Sequence, residues 1–182
     1  MKTHSIVIAG LSTLLLPALA FAGGRHEVTL KGGNVEFQGA VVNAACTVEA
    51  GSQHLIVQMG QVRSSDFHGL GSWTDPQAFT LTLKDCDTSV SQRAGVTFRG
   101  QTDKKDPGVL AVIGGRQSAQ GVGLGLFDSQ GHQIIPNQQP LSFTPLQDNT
   151  TEITFVARYR ATSRTVIAGD ANTQAWFTLT YL

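Results

Sequence analysis

The chain of 182 residues lacks a membrane span, a charge excess and a metal cluster. Its apolar start, residues 6–16, carries Gly10, Ser12 and Thr13 and stops at Pro17. It is shorter than the roughly 20 residues that cross a bilayer as a helix, so membrane insertion is not expected. Lys and Arg total 13, as do Asp and Glu, with no basic run and no acidic tail. Such a balance argues against nucleic acid and anionic membrane surfaces as partners. His26, His54, His68 and His132 do not pair at metal-ligand spacing, and Cys46 and Cys86 are the only cysteines. A zinc site is therefore not expected, nor any other cofactor. Beyond the apolar start there is no apolar stripe of helical period. Gly-x-Ser-x-Gly does not occur. The acids sit mostly in turns, and no nucleophile, base and orienter can be assembled, so the sequence does not read as an enzyme.

What is present begins with an export signal. Lys2 supplies a positive n-region, and Ala20-Phe21-Ala22 supplies small residues at the two positions a signal peptidase reads. Residues 1–22 are read as a signal peptide cleaved after Ala22, and residues 23–182 as the exported chain. Export to an oxidising compartment makes a Cys46–Cys86 disulfide the expected state, since a single catalytic thiol would leave the other cysteine without a role.

The exported chain alternates in period two, which is the mark of half-buried strands. Val35, Phe37 and Val41 share one face of a first strand, with Glu36 and Gln38 on the other. Leu55, Val57 and Met59 predict a second, closed by Gly60. Phe79, Leu81 and Leu83 predict a third, which delivers Cys86. Val96 and Phe98 mark a fourth. Short strands are expected at 109–113 and at Ile134-Ile135. Val122, Leu124 and Leu126 alternate with Gly121, Gly123 and Gly125. Ile153, Phe155, Ala157 and Tyr159 make one stripe, and Ala175, Phe177, Leu179 and Tyr181 another. Residues 63–77 read as a long loop or a short irregular helix, 101–108 and 114–121 as loops, and 128–131 as a turn. An all-β antiparallel sandwich or barrel follows.

Four features are read beside their plainer alternatives. The glycines of 121–125 are not followed by a helix, so they do not hold a phosphate. They leave one bare backbone face that another chain could approach closely. Asp103 and Asp106 around Lys104-Lys105 read as a solvated turn. The final stripe runs to the last residue with nothing after it to cover its edge, which suggests completion by another molecule. Val28 and Leu30, two apart near the start of the exported chain, could add a strand to a foreign sheet edge or belong to a frayed terminus.

Residues 32–46, Gly-Gly-Asn-Val-Glu-Phe-Gln-Gly-Ala-Val-Val-Asn-Ala-Ala-Cys, closely resemble the first domain strand of chaperone–usher fimbrial subunits of the type 1 pilus. Val57-Gln-Met-Gly-Gln-Val62 looks like the next strand of that family, and Leu83-Lys-Asp-Cys86 like the strand carrying its second cysteine. Gly169, fourteenth from the end, and the penultimate Tyr181 match the glycine and aromatic positions of its chaperone-recognition motif, with Phe177 and Leu179 between them. Residues 159–162 and 171–177 look more like a minor subunit than the major rod pilin.

The resemblance implies an incomplete immunoglobulin-like β-sandwich over residues 35–182, lacking its last strand. A periplasmic pilus chaperone would lend a strand to the groove. At the outer-membrane usher, the N-terminal extension of another fimbrial subunit would replace it. Residues 23–34 become a donor strand with Val28, Leu30 and Gly32 facing inward. The implied role is a structural subunit of a cell-surface fimbria that contributes to adhesion, exported through the periplasm and terminating, anchoring or regulating the rod. The major rod pilin and a secreted lectin-like module are the alternatives.

Overall fold

A computed structural model of the chain describes Glu36 and residues 43–182. The strand expected over 35–41, the signal peptide and the donor segment with Val28, Leu30 and Gly32 lie outside the described residues. The rest is built from nine strands: β1 (Thr47–Val48), β2 (Gln77–Cys86), β3 (Arg93–Arg99), β4 (Leu110–Ala111), β5 (Val122–Asp128), β6 (Gln133–Ile134), β7 (Thr144–Pro145), β8 (Asn149–Ala161) and β9 (Trp176–Tyr181). The described helical residues amount to one α-turn, Ala50–Gln53, and one 3-10 turn, Ser64–Asp66.

The strands form two antiparallel sheets. One has the order β1-β2-β8-β5-β4, with β6 added to β5; the other has the order β7-β3-β9. The period-two stripes explain how they pack. Leu81 and Leu83 of β2, Leu126 of β5 and Ile153, Phe155 and Ala157 of β8 turn inward against Ala94, Val96 and Phe98 of β3. Phe98 is the hub, with ring centroids 5.1 Å from Phe155, 6.2 Å from Phe79 and 6.4 Å from Phe177. Burying one such side chain contributes about 1.5–3 kcal/mol, so this cluster carries much of the sandwich.

The disulfide between Cys46 and Cys86 is formed. Its position rests on a detail that alternation hides. Leu81 and Leu83 face the core, so an unbroken β2 would turn residue 86 outward. The register shifts between Lys84 and Cys86, and Asp85 takes a left-handed φ of 52°. The extra residue of this bulge reverses the parity and returns Cys86 to the buried side. Aspartate tolerates that φ better than most side chains, and Asp85 also accepts a hydrogen bond from the Thr47 hydroxyl at 2.9 Å.

Three strand expectations need correction. The strand expected from Leu55 to Gly60, and over 57–62 by the resemblance, joins no ladder among the described residues; Leu55 and Ile56 are exposed, Ile56 at 79%. A strand needs a neighbour for its N–H and C=O groups, and here the described sheets supply none. Residues 109–113 shrink to the two-residue β4, whose Leu110 faces Leu124. At Ile134-Ile135 the pairing covers Gln133 and Ile134 instead, ending before Pro136.

The bare glycine face of β5 also differs from expectation. Its close approach comes from within the chain: a Cβ at Gly125 would lie 2.3 Å from the Trp73 ring. Trp73 is held there by the Arg160 guanidinium, 4.8 Å from its ring centroid, and by an edge contact with Phe127.

Candidate functional site

The last strand decides where the site is. β9 pairs with β3 from Trp176↔Arg99 to Tyr181↔Ala94, and no strand among the described residues pairs with its other edge. Its inward side chains Phe177, Leu179 and Tyr181 are only partly buried, although they pack on the core. On that side runs a groove of about 1260 Å³. One wall is the segment 52–64, and the other is 166–177. Phe79, Phe98, Leu110, Leu124, Leu126 and Tyr159 contribute to its floor.

Both walls are extended chain. Among the described residues, 55–62 makes no backbone–backbone hydrogen bond. The opposite wall is tied down at separate points. Ile167 and Gln120 bond reciprocally at 3.0 Å, and the Asp170 N–H reaches the Gln117 carbonyl at 2.9 Å. The Tyr159 hydroxyl donates to the Ala171 carbonyl at 2.8 Å, and burial pushes that phenol's pKa up. Ile56 and Ile167 stand exposed on the two rims. A channel with an apolar floor and, among the described residues, one unpaired backbone edge on each side has the shape of a missing strand. A guest strand could bond along both walls and place alternate side chains on the floor.

The predicted site residues fall in different parts of this geometry. Gly169 and Phe177 line the groove, with Phe177 6.4 Å from Phe98 between centroids. Gly169 packs backbone to backbone: a Cβ there would lie 2.3 Å from the Gln117 carbonyl oxygen. Leu179 and Tyr181 lie farther along β9, against the core. The Tyr181 hydroxyl donates to the Cys46 carbonyl at 3.2 Å, and burial raises its pKa despite that bond. The disulfide and the end of β9 are thus linked through one tyrosine.

Sequence reasoning missed the walls. Residues 166–173 carry no clean alternation, and residues 55–62 carry one that suggested a paired strand. Trp73 was missed too, since nothing in its loop signals that it lies over a glycine.

Comparison with known proteins agrees with this architecture. A family model described as fimbrial protein matches residues 35–182. The chain is 39% identical over 169 residues to the fimbrin-like protein FimI of Salmonella typhi, covering 92% of this chain and 93% of that one. It is 38% identical over 184 residues to the type-1 fimbrial protein A chain of Escherichia coli, covering all of both. Among solved structures it matches the Burkholderia pseudomallei antigen and type I fimbria protein with a TM-score of 0.59 and 35% identity, over 77% of this chain and 91% of that one. The P pilus rod subunit PapA aligns with a TM-score of 0.65 and 19% identity, over 76% and 100%, a likeness of fold. An immunoglobulin-like sandwich with an edge groove, the Cys46–Cys86 bridge and a family match across the whole described domain lead to one conclusion. The chain belongs to the fimbrial protein family, as a structural fimbrial subunit and not an enzyme.

Proposed function

We propose that the chain polymerises by donor-strand exchange on the bacterial cell surface. Its groove accepts the N-terminal extension of a neighbouring subunit, and its own residues 23–34 serve as donor, with Val28, Leu30 and Gly32 facing the acceptor core. During export a periplasmic chaperone fills the groove first, with Gly169, Phe177, Leu179 and Tyr181 as its recognition strand. The outer-membrane usher is where the exchange occurs. The observation that carries this reading is the groove between two walls, whose length and apolar floor suit one extended strand. Each aliphatic side chain seated on that floor would contribute about 1.5–3 kcal/mol, enough for several together to make the subunit contact long-lived.

Within the fimbria the reading is a minor subunit that terminates or anchors the rod or regulates its assembly, and so contributes to adhesion. The likeness to the fimbrin-like protein FimI supports it. The nearly equal identity to the type-1 A chain supports the second reading, a major rod subunit. Deleting the chain's gene and measuring fibre length separates them. Longer or shed fibres indicate a terminator, and loss of all fibres indicates the rod. For strand exchange itself, the full chain is offered a synthetic peptide of residues 23–34. Tight binding and a raised melting temperature are expected. Absence of binding, together with a soluble monomer that unfolds cooperatively without its extension or a partner, overturns the reading.

A further inference from the structure

The two ends of the sandwich differ in charge. At one end the loops 101–121 and 162–170 are joined by Gln120↔Ile167 and Ser118↔Asp170 bridges. They present exposed Lys104, Lys105, Arg116 and Arg164. The acids there are mostly engaged: Asp106 pairs with Arg160 at 3.2 Å, and Asp103 accepts the N–H groups of Lys105 and Asp106. Asp170 is exposed among them. At the other end Asp85, Asp87 and Asp148 are exposed around the Cys86 bulge. The nearby cations are Arg93 and Lys84, the latter 3.8 Å from Glu49.

The thirteen-residue β8 separates the two ends. At about 3.3 Å per residue it spans roughly 40 Å, several times the Debye length of about 8 Å at physiological salt. The poles therefore do not neutralise each other within one molecule. The chain also enters the described domain at the acidic pole, where the Ala45 carbonyl accepts the Asp87 N–H at 2.8 Å. The contiguous described chain thus begins at that pole. The groove wall 166–173 begins at the basic pole.

We propose that the poles are two halves of one contact, in which the acidic pole of one copy of this chain seats against the basic pole of the next. A strand leaving one copy at its acidic pole and entering the next copy's groove from the basic end brings opposite charges together. Entry from the other end would set acid against acid. Charge thus steers each arriving copy and selects its orientation before the strand zips into the groove. The inference rests on the strand-exchange reading and holds for either a minor or a major subunit.

The test follows oligomer growth of the full chain at about 0.01 M and about 1 M ionic strength, where screening lengths are roughly 30 Å and 3 Å. Growth is expected to slow by about tenfold at high salt. Lys104→Glu, Lys105→Glu and Arg116→Glu combined should slow low-salt growth by a similar factor, and adding Asp85→Lys and Asp148→Lys should restore it. Near-UV dichroism checks that each variant is folded. If the fivefold variant is not, the salt series and the triple variant decide. At about 1 M salt, where the charges of its own Arg25, Glu27 and Lys31 are screened, the residue 23–34 peptide should bind wild type and triple variant alike, because it brings no acidic pole. If the peptide does not bind, strand exchange fails. If it binds but growth is absent, or ignores both salt and reversed charge, the pole contact is overturned.

Discussion

β8 and β9 carry the same message in sequence and lead different lives in the fold. In both, a stripe of apolar residues recurs at every second position. In β8, Ile153, Phe155, Ala157 and Tyr159 are all at most 8% exposed, because β2 and β5 flank the strand and β3 lies across the core. In β9, Phe177, Leu179 and Tyr181 stay partly buried, because β3 is the only described neighbour and a groove runs along the other side. Alternation reports a face that wants burial. It does not report whether the chain itself supplies the cover.

The comparison breaks most sharply at the aromatic cluster. Phe155→Ala should cost about 3–5 kcal/mol in urea unfolding whether or not the groove is filled. Phe177→Ala should cost the peptide-free domain clearly less, yet weaken binding of the residue 23–34 peptide more than Phe155→Ala does in whatever fraction stays folded. Equal effects of the two on stability would mean that β9 is as enclosed as β8.

The disulfide comes next. The bridge closes a sequence separation of 40, which by chain entropy contributes about 4 kcal/mol less any native strain. Because Tyr181 donates to the Cys46 carbonyl, Cys46→Ser should loosen the end of β9 more than the middle of β8. Amide exchange measures this: protection should fall at residues 179–181 before it falls at 153–157. Uniform loss along both strands would break the comparison.

A smaller effect is expected at the bulge in β2, the neighbour of β8. Asp85→Val forces a β-branched residue into a left-handed φ and should destabilise by about 1–2 kcal/mol. Asp85→Gly relieves the backbone but loses the bond to Thr47, so it should lie closer to neutral. A valine variant as stable as the glycine variant would mean that the bulge is not needed to hold Cys86 inward.

The smallest effect is expected at Asp128, which ends β5 on the other flank of β8. Burial pushes its pKa up, but N–H groups of His132 and Gln130 and the hydroxyl of Ser142 outweigh this and hold it below the ordinary 3.8. A carboxyl depressed in the folded state stabilises above its unfolded pKa and loses that contribution as pH falls through its folded pKa. Melting temperature should therefore drop below about pH 4, and Asp128→Asn should flatten part of that drop. An unchanged acid limb would assign the loss to other carboxylates such as Asp87 and Asp148, whose pKa values are also lowered by hydrogen bonds.

Much of this architecture was legible. β2, β3, β5, β8 and β9 lie where the alternation places them, because a strand with one buried face needs an apolar residue at every second position. The Cys46–Cys86 pairing followed from export and from a count of two. The failures share one cause. Residues 55–62 alternate like a strand, but pairing needs a partner at hydrogen-bonding distance, and a sequence does not carry distances. The glycines of β5 signalled a close approach without saying that Trp73 makes it. Gly169 was singled out only through the resemblance, and its packing on the 117–119 backbone was not legible.

By itself, then, the sequence determined which residues seek an interior and on which face of each strand they sit, since that follows from side-chain chemistry and a two-residue period. Tertiary structure decided which of those faces the chain could cover. It turned Cys86 inward through one extra residue and, among the described residues, left 55–62 without a backbone partner and β9 with no strand on its second edge, because both outcomes depend on which strands meet across the sandwich.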